Sequence, residues 1–125
     1  AIRHPKLFDA VSSMSGGVDL TFSTVKWEIT KMLGSIESFP NRWHSNSIVN
    51  MVESIPKGFI PVLIDCGYDD FFIDLNRTLH HRMVEKNISH IYVEKPGGHS
   101  WNYWVNALDE HLQFFENAFN GITKN

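Results

Sequence analysis

The sequence predicts an α/β fold built on a short parallel sheet. Three observations carry that reading. Ile60-Pro61-Val62-Leu63-Ile64-Asp65-Cys66 is almost continuously apolar, short apolar runs alternate with longer amphipathic ones, and glycine or proline closes each short run. A strand covered by helices on both faces has no solvent side, so it loses the polar alternation of a half-exposed strand.

The elements follow in order. Ala10-Val11-Ser12-Ser13-Met14-Ser15 reads as a first strand, stopped by Gly16-Gly17. A polar and aromatic stretch then runs to about Glu53, where Gly34, Pro40 and scattered serines keep any helix short. The central strand spans Ile60 to Cys66, with Pro61 near its start, where a missing N–H is tolerated, and Gly67 at its end. Leu75, Leu79 and Met83 repeat every four residues and predict a helix from about Asp74 to Glu85. Ser89-His90-Ile91-Tyr92-Val93-Glu94 reads as a third strand, ended by Pro96-Gly97-Gly98. In the last helix Trp104, Leu108, Leu112, Phe115 and Phe119 form an apolar stripe, and Gly121 supplies a stop. Strand, insertion, strand, helix, strand, helix is the order of a parallel sheet with right-handed crossovers.

Composition bounds the function. With 125 residues the chain is one domain or less, and 42% hydrophobic with 13% aromatic residues supports a packed core. A net charge of −3 offers no basic face for nucleic acid, and no apolar run approaches the ~20 residues of a membrane span. The single cysteine, Cys66, excludes an internal disulfide framework and leaves the compartment open, with a slight lean to the cytoplasm. The chain starts Ala1-Ile2-Arg3-His4, without methionine and in what reads as mid-helix sequence, so the lack of a leader says little.

Ligands of open parallel sheets bind at the carboxyl ends of the strands. That singles out Gly67-Tyr68-Asp69-Asp70-Phe71-Phe72 after the central strand and Pro96-Gly97-Gly98-His99-Ser100-Trp101 after the last. One loop offers a carboxylate and the other an imidazole, the natural pair for general-base work near neutral pH. Two glycines let the chain turn before His99, and Trp101 and Trp104 stand ready to wall the site. Taken alone, an Asp–His pair is more often structural than catalytic. Cys66 reads as a small buried hydrophobe, and adjacent His80 and His81 point in different directions on a helix, which argues against a shared metal. Trp27, Phe39 and Trp43 lie in the insertion, either over a site or in packing, while Asn76 and Arg77 either brace the acid loop or face solvent.

Gly67-x-x-Asp70-x-Phe72, followed by Pro96-Gly97-Gly98-His99-Ser100-Trp101-x-Tyr103-Trp104, resembles the putative-esterase family of α/β hydrolases. That family includes S-formylglutathione hydrolase (esterase D), tributyrin esterases, and acetyl-xylan and feruloyl esterases. His4-Pro5-x-x-Phe8-x-Ala10-x-x-Ser13-x-Ser15-Gly16 is similar to the family segment between the nucleophile helix and the next strand. The resemblance covers nearly the whole chain and implies the C-terminal portion of an α/β-hydrolase fold, about three parallel strands with flanking helices. It implies a serine esterase acting on small-molecule esters or thioesters, with Asp70 as triad acid (Asp69 the runner-up), His99 as base and Trp101 at the substrate. No metal or organic cofactor is implied. The nucleophile elbow Gly-x-Ser-x-Gly is absent from residues 1–125. Ser13-Met14-Ser15-Gly16-Gly17 lacks the glycine two before a serine, and Ser100 is too close in sequence to His99. The expected chain is therefore the C-terminal part of one domain, inactive by itself, with an exposed sheet edge that favours homo-oligomerisation.

Overall fold

The computed structural model describes residues 1–24 and 26–122. Three strands, β1 (Val11–Met14), β2 (Val62–Gly67) and β3 (Ile91–Lys95), form one parallel sheet in the order β1-β2-β3. All six residues of β2 are buried, as its continuous apolar run predicts. Pro61 stays outside the ladder on the side of the missing N–H, but its carbonyl accepts from Val11 N at 3.0 Å. The ladder therefore starts at Val11↔Val62, two residues after the apolar run begins.

Between β1 and β2 the insertion forms single 3-10 turns and three short helices, α1 (Ile29–Leu33), α2 (Pro40–Asn46) and α3 (Ile48–Met51). Pro40 sits at the first position of α2, where its fixed φ suits helix entry and its missing N–H costs nothing. Trp43 of α2 is fully buried and donates through Nε1 to Gly34 O at 3.0 Å. Phe39 is exposed, with the Arg42 guanidinium 4.0 Å above its ring. Of the insertion aromatics, Trp43 is thus core.

Helix α4 (Ile73–Glu85) joins β2 to β3, and α5 (Trp101–Ile122) follows β3. One core lies between α4, the insertion and β2, built from Val18, Val49, Val52, Val62, Ile64, Leu79 and Met83. Alternation along β2 sends Ile64 and Cys66 to the α4 side and Asp65 to the α5 side.

Helix α5 departs from the sequence expectation. Its buried row is Tyr103, Ala107, His111 and Phe114, whereas Leu108, Leu112 and Phe119 of the anticipated stripe are about half exposed. The cause is Asp65, a buried carboxylate in the middle of β2. It accepts a hydrogen bond from the Tyr103 hydroxyl, and the His111 ring packs beside it with Nε2 3.5 Å from Oδ2, without a hydrogen bond. A carboxylate removed from water needs such a donor, so the helix turns the face that supplies it toward the sheet. Gly121 also remains helical instead of stopping α5.

Candidate active site

The loops leaving β2 and β3 lie against each other. Tyr68 N–H donates to Lys95 O at 2.8 Å and Asp69 N–H to Gly97 O at 2.9 Å. The approach needs glycine at both ends: a Cβ on Gly67 would sit 2.1 Å from Gly97 O. Gly97 has φ +130° and passes directly over the Tyr103 ring.

Asp70 N–H then donates to Gly67 O at 3.1 Å, which folds the acid loop inward. The Asp70 side chain is fully buried, and its Oδ1 accepts from Phe72 N–H at 2.8 Å. Across the gap, His99 Nδ1 lies 3.0 Å from Oδ2 and 3.2 Å from Oδ1 of Asp70. An ionised carboxylate can only accept, so Nδ1 carries the ring proton and Nε2 is left as a bare acceptor. The His99 side chain is 28% exposed. Asp69 is exposed and joins the site only through its backbone. The structure thus brings Asp70 and His99 together and leaves Asp69 aside.

Three aromatic rings frame the imidazole. Phe71 lies 4.5 Å from it, tilted, while Phe72 at 5.3 Å and Trp104 at 4.8 Å meet it edge-on. They restrict how His99 can rotate and thin the water on those sides. Trp101 is 79% exposed and reaches the site only through its edge contact with Trp104 at 5.3 Å. Phe72, Tyr103 and Trp104 all stand inside the sequence motifs, but no spacing rule says what their rings touch.

Asn76 is a brace. It is fully buried on α4, and its Nδ2 donates to Phe72 O at 2.9 Å and Gly16 O at 3.0 Å, pinning the acid loop to the end of β1. Arg77 instead reaches across to Glu94 with two hydrogen bonds of 2.9 Å. Cys66 is fully buried, and burial, followed by the neighbouring Asp70 charge, pushes its thiol up to about 12. That is the inert thiol of a small hydrophobe. Ser100 caps the start of α5, accepting from Tyr103 N–H through Oγ at 3.4 Å. Among the described residues no serine hydrogen-bonds to His99, and no cluster of three or more histidine, cysteine or acidic residues is arranged to hold a metal.

A cavity of about 420 Å³ lies away from the Asp70–His99 pair. It opens between β1, the insertion and the N-terminal residues, and neither Asp70 nor His99 lines it. A smaller cavity of about 230 Å³ lies beside Phe72.

Residues 1–115 match the family described as "Putative esterase". The chain belongs to that esterase family. It is 32% identical over 80 residues to an acetyl esterase of Caldicellulosiruptor saccharolyticus, covering 63% of this chain and 27% of that protein. Among solved structures the chain superposes on a ferulic acid esterase with a TM-score of 0.72 and 26% identity, covering 94% of this chain and 44% of the other. An S-formylglutathione hydrolase from Staphylococcus aureus matches with a TM-score of 0.64 and 16% identity over 90% of this chain and 46% of that one. The last likeness shows the α/β-hydrolase fold alone. The chain spans less than half the length of each of these three relatives. No helix among the described residues is long and apolar enough to cross a membrane.

Proposed function

We propose that this chain is the acid-and-base half of a serine carboxylic-ester hydrolase, and that the nucleophilic serine and the oxyanion hole come from residues outside these 125. The observation that carries the reading is the Asp70–His99 pair: a fully buried carboxylate holding Nδ1 of a partly exposed imidazole, with Nε2 bare. In such an enzyme Nε2 takes the proton of the serine hydroxyl as it attacks the ester carbonyl. The imidazolium then protonates the leaving alcohol or thiol, and Asp70 stabilises the charge without taking the proton. Water repeats the sequence on the acyl-enzyme. Phe71, Phe72 and Trp104 keep the ring in place, and Trp101 is assigned to the outer wall toward the substrate. Membership of the esterase family supports small-molecule esters or thioesters as substrates.

The test uses the longer protein that carries this chain together with a Gly-x-Ser-x-Gly motif. His99→Ala should lower kcat on p-nitrophenyl acetate by about three orders of magnitude or more with little change in unfolding midpoint. Near-normal turnover would remove His99 from the mechanism. The 125-residue chain alone should neither turn over that ester nor label with a fluorophosphonate. Saturable labelling of it would place the nucleophile inside residues 1–125.

A second reading, that the isolated chain self-associates, is favoured by two features. Strand β1 has a hydrogen-bonded neighbour on one side only among the described residues, and Leu108 and Leu112 of α5 are about half exposed. Sedimentation of the 125-residue chain should then show mass rising with concentration. A monomer at every concentration would dismiss it.

A further inference from the structure

We infer that Asp65 and Tyr103 form a strut beneath the two loops, setting how the Asp70 carboxylate meets the His99 imidazole. Both are positioning residues for that pair. The inference rests on the ester-hydrolase reading of Asp70 and His99, and it adds the device that holds their geometry.

Asp65 is buried in the middle of β2, and its Oδ1 accepts from the hydroxyl of Tyr103 in the first turn of α5. The buried Tyr103 ring lies against the backbone of both loops at once. A Cβ on Gly97 would sit 2.7 Å from Tyr103 Cδ2, and one on Gly67 would sit 3.2 Å from Cε2. These two glycines are the points from which the pair hangs. Gly67 O accepts the hydrogen bond that turns Asp70 inward, and Gly97 begins the short run into His99. A single ring therefore bears on the carboxylate's loop and on the imidazole's.

The hydrogen bond is what makes the ring a strut. Apolar packing has no direction, so a ring held by packing alone is free to slide along the sheet. A hydrogen bond to a carboxylate is directional and stronger than a neutral one, and it fixes the ring along its own axis. A carboxylate buried in mid-strand is costly, and an apolar residue at 65 would serve packing better. What the carboxylate supplies in return is a fixed end for Tyr103. Burial, reinforced by the hydrogen bond to Asp65, pushes the Tyr103 hydroxyl above the usual tyrosine range, so it remains a donor at neutral and mildly alkaline pH.

The loops are also tied to each other, through Tyr68 N–H to Lys95 O and Asp69 N–H to Gly97 O. Those bonds fix their sideways spacing, and the Tyr103 ring fixes their height above the sheet. The tolerance is small. His99 Nδ1 stands 3.0 Å and 3.2 Å from the two Asp70 oxygens, and a misplacement of about 1 Å can cost on the order of 100-fold in rate. Anchoring Tyr103 also sets its neighbour Trp104, whose ring meets His99 edge-on at 4.8 Å.

The longer protein carrying this chain and its nucleophile would be assayed on p-nitrophenyl acetate. Tyr103→Phe keeps the ring and removes its tether, so kcat should fall about tenfold or more while KM stays within about twofold. Asp65→Asn keeps the tether. Its amide oxygen accepts from Tyr103, and its Nδ2 faces His111 Nε2, which has no hydrogen-bond partner among the described residues. This conservative variant should hold kcat within about threefold. Because Tyr103→Phe strands a buried carboxylate and can unfold the chain, Asp65→Val is combined with it. Removing both partners should bring the unfolding midpoint back toward wild type and leave kcat low. A second readout is the downfield proton NMR signal of His99 Nδ1–H, identified by its loss in His99→Ala. It should persist in Asp65→Asn and broaden by exchange with water in the double variant. Equal losses of kcat in Asp65→Asn and the double variant would overturn the strut. If wild type turns over no ester, yet the signal persists in Asp65→Asn and broadens in the double variant, the strut stands and the hydrolase reading falls. If esters turn over and the double variant keeps wild-type kcat and signal, the strut falls and the hydrolase reading stands.

Discussion

Asp69 and Asp70 differ by one position, and that step decides which can orient the histidine. The hydrogen bond from Asp70 N–H to Gly67 O turns the Asp70 carboxylate under the loop, where Phe72 N–H and His99 Nδ1 meet it. Asp69 spends its backbone N–H on Gly97 O and sends its side chain to solvent. In the longer protein Asp70→Asn should therefore drop kcat by about three to four orders of magnitude, because the amide can donate to Nδ1 and stabilise the wrong tautomer. Asp69→Asn should stay within about threefold. Both are read from steady-state ester hydrolysis beside unfolding midpoints, and comparable losses in the two variants would leave the acid unassigned. The sequence motif narrows the proposed acid to two neighbours. The choice between them needs the turn geometry, which no residue spacing encodes.

At the scale of elements, legibility tracked how much of the environment was local. Strand β2 is readable because burial on both faces leaves a continuous apolar run, and the spacing of Leu75, Leu79 and Met83 places α4 to within a residue. The face of α5 is not readable in the same way. Three of the five residues of its apolar stripe, Leu108, Leu112 and Phe119, are about half exposed, since the partner that fixes the helix is Asp65, some forty residues earlier on β2. Hydrophobic periodicity ranks faces by oiliness and takes no account of a buried charge that needs donors. This yields a test in the 125-residue chain. Ala107, 1% exposed, lies in the buried row, so Ala107→Leu should overpack it and cost about 1–3 kcal/mol. Leu112, 57% exposed, should tolerate Gln within about 0.5 kcal/mol. Urea unfolding gives both values, and the reverse order would restore the apolar stripe as the packing face. In the longer protein Leu112→Gln should cost more than in the short chain if additional structure covers that face.

For the whole molecule, a polar network ties α4 to β3 and makes stability depend on pH. His90 Nδ1 faces the Ile88 carbonyl at 2.8 Å, and a carbonyl only accepts, so that nitrogen holds a proton. Neutral His90 then accepts through Nε2 from His80 Nδ1–H at 2.8 Å. The His80 ring stacks on Tyr92 at 4.3 Å, Tyr92 donates to Glu94 at 2.6 Å, and Arg77 clamps Glu94 from α4. Packing, then the nearby His90 and His81, hold His80 below its usual 6.5, while Glu94 raises it only in part. Glu94 is itself held below its usual 4.5, chiefly by Arg77. The two signs differ in window and agree in direction. Between the folded and unfolded values of His80 the unfolded chain binds more protons, so stability is intact above 6.5 and falls as pH drops below it. Glu94 contributes stability above 4.5 that is lost as pH falls further, toward its depressed value. Thermal midpoints should therefore decline from pH 7.5 to 5.5 and decline again below 4.5. His80→Gln removes the first titration and keeps an N–H for His90, so it should flatten the upper step and leave the lower one. An upper step of the same size in that variant would shift its origin to another histidine, and no decline in the wild type between pH 7.5 and 5.5 would contradict the His80 assignment outright.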